Sequence, residues 1–98
     1  LGQVSTLDHR AAALARALAP EIRINAVCPG IAGTAMADQL LGEMGRGDAQ
    51  AGREKFEALL PTKRMARPEE IVGPVLFFAG EASSFVTGQT LAVCGGAI

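Results

Sequence analysis

At 98 residues the chain is one domain at most, and 49% apolar against 19% charged residues gives it a core to bury, which excludes a disordered segment. Nine basic residues against ten acidic ones leave a formal charge of −1, which provides no electrostatic footprint for nucleic acid or an anionic membrane. No apolar run reaches the roughly 18 residues of a membrane span, the first residues do not read as a signal peptide, and Cys28 and Cys94 with one histidine cannot close a zinc site, so a reduced, cytoplasmic setting is expected.

From Ser5 to Ala19 the chain is rich in strong helix formers, and Leu7, Ala11, Leu14 and Leu18 form one apolar stripe that Pro20 stops. Ile22–Cys28 is short, rich in β-branched residues and closed by Pro29-Gly30, as in a strand covered on both faces. Residues 29–35 read as a loop. Between Met36 and Leu60 helical spacing at Met36, Leu40, Leu41 and Met44 is interrupted by Gly42, Gly45, Gly47 and Gly52. Phe56, Leu59 and Leu60 then suggest a second short helix. A connection of this kind inside a small domain is often a lid or binding loop.

Helix-start signals converge at Arg67-Pro68-Glu69-Glu70: proline suits the first helical position, and carboxylates suit the positive end of the dipole. Ile71, Val75 and Phe78 continue the stripe, with Pro74 predicting a kink rather than an end. Thr90–Cys94 is a second short strand, closed by Gly95-Gly96. Helix, strand, helical connection and strand make a βαβ unit, right-handed by the general rule, and hence α/β architecture.

Several local features have plain structural readings. His9 sits on an Ala-rich helix and is expected to face solvent rather than act as a base, and Arg46-Gly47-Asp48 is a chance adhesion-like tripeptide. Cys28 and Cys94 read as small apolar groups near strand ends rather than reactive thiols. Thr87-Gly88 reads as a turn before the last strand, and Glu69-Glu70 as a helix start.

Ile-Arg-Ile-Asn-Ala-Val-Cys-Pro-Gly (22–30) with Thr34, Lys-Arg-Met-Ala-Arg-Pro-Glu-Glu-Ile (63–71) and Phe-Val-Thr-Gly-Gln-Thr-Leu-Ala-Val-Cys-Gly-Gly (85–96) together resemble the C-terminal portion of the short-chain dehydrogenases/reductases. They stand in the same order and spacing and cover nearly the whole chain. In the family's final strand the position of Cys94 usually reads Asp. The resemblance implies the C-terminal part of a Rossmann-like doubly wound parallel sheet, with residues 1–98 a fragment of a nicotinamide-cofactor domain and a substrate lid at about 31–60. It implies NAD or NADP as cofactor, a small-molecule alcohol or carbonyl substrate in the full-length protein, and a homo-oligomer.

In such a sheet ligands sit beyond the carboxyl ends of the strands. By resemblance, Pro29 shapes the turn, Gly30 lets the backbone pass close to a bound ring, Ile31 meets the nicotinamide carboxamide, and the Thr34 hydroxyl reaches the amide or diphosphate. Met36 and Leu40 open the substrate lid. The family's catalytic Ser, Tyr and Lys are not matched: the 98 residues contain no Tyr. An ungapped alignment puts Val4 at the Lys position and the Tyr position one residue before Leu1, and a shifted register that would use Thr6 and Arg10 breaks the downstream match. No catalytic or metal-ligating residue is therefore assigned, and the chain alone is expected to be inactive. The alternative reading is a non-catalytic remnant or interaction fragment that associates through its last helices and strands. A sequence-record error upstream of Leu7 would also explain why the match frays there.

Overall fold

A computed structural model describes residues 2–97 and the side chains of residues 6–97. The elements in chain order are α1 (Gly2–Leu18), β1 (Ala26–Pro29), α2 (Ala35–Met44), α3 (Ala49–Leu59), α4 (Pro68–Ala79), a 3-10 turn (Glu81–Ser83) and β2 (Thr90–Val93). β1 and β2 are neighbours in one parallel sheet. The chain divides into two compact units, Leu1–Cys28 with Val72–Val93 and Pro29–Ile71 with Cys94–Ile98.

In the first unit α1 begins three residues earlier than the sequence suggests, and its buried face differs from the predicted stripe. Ala11 and Ala15 are buried, whereas Leu14 and Leu18 are exposed. The cause is a close approach. Gly88, at φ 75°, lays its backbone against Ala12 and Ala15, where a leucine would not fit.

β1 is shorter than the predicted strand because residues 22–25 are tied by side chains instead of a ladder. The Thr87 hydroxyl accepts from Ile24 N–H (3.0 Å), Asn25 Nδ2 donates to Val86 O (3.0 Å), and Asn25 Oδ1 accepts from Gln89 N–H (3.0 Å). Arg23 donates to Phe78 O, Val86 O and the fully buried Ser83 hydroxyl at 3.0–3.2 Å. Its charge thus sits on a carbonyl of the last turn of α4, where a helix dipole favours a cation. Neither strand buries a residue, so the sheet lacks the cover on both faces that its composition predicts. α4 runs as expected from Pro68 and stays helical through Pro74.

In the second unit the Gly-interrupted stretch is a helical hairpin. Its glycines permit the packing they would be expected to prevent. Gly45 caps α2, and Gly52, inside α3, lies against the Leu41 carbonyl, so a Cβ at either position would strike backbone. Ala37, Leu41 and Met65 form the buried core, with Ile31, Met44 and Phe56 packed around them. Asp48 of the adhesion-like tripeptide is the N-cap of α3, its carboxylate accepting from Gln50 and Ala51 N–H.

Candidate functional site

The loop after β1 is pinned by its own backbone. Thr34 N–H donates to Ala32 O (2.8 Å) and Gly33 N–H to Ala66 O (3.0 Å), while Ala32 and Ala66 form a parallel bridge. Thr34 then starts α2. Its extended backbone and its hydroxyl, which accepts from Ala37 N–H at 3.3 Å, make it the N-cap. The spacing of Thr34 from Pro29-Gly30 therefore has a structural use. An N-capping hydroxyl still holds its own proton, so it remains a donor to a bound group.

Between this loop and the first turns of α2 lies a shallow pocket of about 270 Å³ lined by Gly30, Ile31, Ala32, Thr34, Met36, Ala37 and Leu40. Five of the six residues singled out in the sequence meet there: Gly30, Ile31, Thr34, Met36 and Leu40. Pro29 ends β1 at an exposed position and does not line it. Ala32 and Ala37 complete the lining and carry no chemical signature that would single them out. The pocket is apolar except for one hydroxyl and backbone amides. Such a lining suits a flat, weakly polar ring better than a charged group.

The far side of the hairpin is fastened by ion pairs. Glu57 pairs with Arg53 at 2.8 Å and accepts from Met65 N–H, so the arginine first and the amide second hold its carboxyl below the usual carboxylate range. Glu70 takes a two-pronged contact from Arg64 (2.6 and 2.8 Å) and closes the start of α4 by accepting from Arg67 N–H (3.0 Å). Arg64, followed by that amide, holds the Glu70 carboxyl well below the usual range. Glu70 is thus a structural carboxylate at a helix start. Lys63, at φ 58°, donates to Ala58 O in the last turn of α3.

Among the described residues, no three His, Cys, Asp or Glu side chains are grouped so as to hold a metal ion. Cys28 and Cys94 are free and half-buried, and His9 is exposed. Val4, where the resemblance would place the lysine, lies outside the described side chains. No helix is long and apolar enough to cross a membrane among the described residues.

Comparison with known proteins follows the same outline. A family described as enoyl-(acyl carrier protein) reductase matches residues 5–97. An uncharacterized oxidoreductase of Bacillus subtilis, YmfI, is 40% identical over 84 residues, covering 85% of this chain and 31% of its own length. The 3-oxoacyl-[acyl-carrier-protein] reductase FabG of Thermotoga maritima is 36% identical over 77 residues, 79% of this chain and 28% of its own length. The chain thus spans about a third of the length of the curated relatives it matches.

Among solved structures, the NADPH-dependent reductase YwfH, involved in bacilysin biosynthesis, superposes with a TM-score of 0.85 at 27% identity, covering 96% of this chain and 37% of that one. A short-chain dehydrogenase of Leptospira borgpetersenii with bound NAD+ gives 0.74 at 29% identity, covering 95% and 32%. These likenesses bear out the Rossmann-like α/β fold expected from the sequence.

Proposed function

This chain belongs to the short-chain dehydrogenase/reductase family, and from that premise we propose that it forms the nicotinamide-closing and substrate-facing part of an NAD- or NADP-dependent oxidoreductase of alcohols and carbonyls. The observation that supports this most is the meeting of Gly30, Ile31 and Thr34 with Met36 and Leu40 around one apolar pocket. A bound nicotinamide would supply hydride chemistry between an alcohol carbon and a carbonyl carbon.

This chain's own residues hold and exclude. Pro29 ends the strand and turns the backbone, Gly30 and Ile31 would present a flat surface to the ring, and the Thr34 hydroxyl would donate a hydrogen bond to the cofactor. Met36 and Leu40, on the first turns of α2, would flank the substrate. The acid/base and ribose-holding groups belong to the rest of the full-length protein, because these 98 residues contain no Tyr. The 98-residue chain is therefore inactive by itself.

A reducing, cytoplasmic setting agrees with two free cysteines. A homo-oligomer agrees with the exposed Val72, Val75 and Leu76 on α4. Sedimentation of the intact protein tests that association: a monomer contradicts it.

The experiment for the function is a hybrid. The 77 residues of this chain that match the Thermotoga reductase replace the corresponding stretch of that enzyme, and oxidation of NADH and NADPH is followed with a ketone panel. The expected result is cofactor-linked turnover. A folded hybrid that binds no dinucleotide refutes the reading.

A further inference from the structure

Met65 is buried, so its amide must have an acceptor, and that acceptor comes from a side chain on α3 rather than from a ladder. Glu57, half-buried, divides its carboxylate between two partners. Oε1 takes the Arg53 guanidinium at 2.8 Å, and Oε2 takes Met65 N–H at 3.0 Å. Arg53 stands one turn back on the same helix, so that pair orients the carboxylate without leaving α3. The bond to Met65 leaves it. Lys63 Nζ, donating to Ala58 O at 2.7 Å, ties the same end of α3 to the same connecting segment.

Met65 and Ala66 in turn support the candidate pocket from behind, all within the second unit. The Met65 side chain packs with Ala37 and Leu41 in the core, and Ala37 lines the pocket. Ala66 O accepts from Gly33 N–H at 3.0 Å, and Ala66 bridges Ala32, another lining residue. Glu57 is not itself in the lining. Its path to the pocket loop is two hydrogen bonds joined through Met65 and Ala66.

We infer that Glu57 is a positioning residue: through Met65 and Ala66 it fixes Ala32 and Gly33, and with them the wall against which the proposed cofactor ring would rest. In its consequence for the cofactor this rests on the oxidoreductase reading above. A wall already fixed needs no ordering when the ligand arrives, so loosening it weakens affinity and spares the chemical step. What the strut needs is an acceptor for Met65 N–H, not a charge. Gln at position 57 supplies one. Ala does not, and Asp falls short by one methylene.

The test follows amide hydrogen exchange in the 98-residue chain and steady-state kinetics in the hybrid. Glu57→Ala is expected to speed exchange at Met65 and Gly33 by about three- to tenfold, the range set by one lost hydrogen bond. Gly45, whose amide is held by Leu41 O within the hairpin, should keep its rate. Glu57→Asp should act as Glu57→Ala does, and Glu57→Gln should restore protection. Arg53→Ala, which removes the ion pair and leaves the acceptor, should leave Gly33 as it is. In the hybrid, the Ala and Asp variants should raise the KM for the dinucleotide by a similar factor with kcat kept, and Glu57→Gln and Arg53→Ala should not.

An unmoved Gly33 overturns the inference, as does a Gly45 that loosens equally, since that marks a general loss of structure. So does an Arg53→Ala that matches Glu57→Ala, a Gln variant that fails to rescue, or an unmoved KM in a hybrid that turns over. If Glu57→Ala does not fold, Glu57→Asp against Glu57→Gln decides in its place. Failure of the underlying reading looks different: the folded hybrid with Glu57 intact then binds no dinucleotide, whatever the exchange rates.

Discussion

At the residue scale, Thr34 shows how one side chain answers two demands. Its oxygen lone pair caps α2, and its proton is left for a ligand. Thr34→Ser keeps both, whereas Thr34→Val loses both. In the hybrid, Thr34→Val is expected to raise the KM for dinucleotide several-fold and to cost about 1 kcal/mol of stability through the lost cap. Thr34→Ser should restore both values, and parallel steady-state kinetics and thermal melts separate the two effects.

Glu70 makes a prediction about pH. Its folded-state pKa is lowered, by Arg64 first and by the Arg67 amide second. The stabilisation it gives is present above the ordinary carboxylate value of about 4.3 and is lost as pH falls through the depressed folded value. NMR titration of the Glu70 carboxyl should therefore show a midpoint well below the ordinary carboxylate value. Glu70→Gln should abolish the acid-dependent loosening at the start of α4.

The same pair shows what was legible in sequence. Glu69-Glu70 reads correctly as a helix start, but the partner Arg64 lies six residues away across a turn, which no periodicity marks. The Arg23-x-Asn25 pair reads in sequence only as part of the short strand Ile22–Cys28. It is a hydrogen-bond hub whose acceptors lie more than fifty residues away.

At the scale of elements, the helices are legible where apolar spacing is regular and obscured where glycine interrupts it. Gly42 and Gly52 have the same local signature, yet a Cβ at Gly42 meets open space and one at Gly52 meets the Leu41 backbone. Helix propensity favours alanine over glycine by about 1 kcal/mol at either site. At Gly52 the clash outweighs this, because backbone cannot yield as a side-chain tip does.

Gly42→Ala should therefore raise stability by about 0.5–1 kcal/mol, and Gly52→Ala should lower it by about 1–3 kcal/mol. Urea melts of the two variants check both signs. α1 carries the same lesson. Its predicted stripe is only partly the buried face: Ala11 is buried, but Leu14 and Leu18 are exposed, because the Gly88 backbone comes close at Ala12 and Ala15. What a helix packs against cannot be read from the helix alone.

At the scale of the molecule, the pocket residues meet for a local reason. Gly30, Ile31, Thr34, Met36 and Leu40 are close in sequence, so one loop and one helix start suffice to bring them together. The sheet faces depend on what covers them, and in these 98 residues they remain half exposed. The proposed function implies a division: residues 29–40 would supply one part of a dinucleotide site, and the phosphate-holding part would fall in the length of the curated relatives that this chain does not span.

Calorimetric titration of NADH and NADPH, run side by side on the 98-residue chain and on the hybrid, tests that division most directly. The hybrid is expected to bind. The chain alone is expected to bind no more tightly than about millimolar, because a dinucleotide depends on a glycine-rich turn at a helix N-terminus for its diphosphate. Micromolar binding by the chain alone, or none by a folded hybrid, would contradict it.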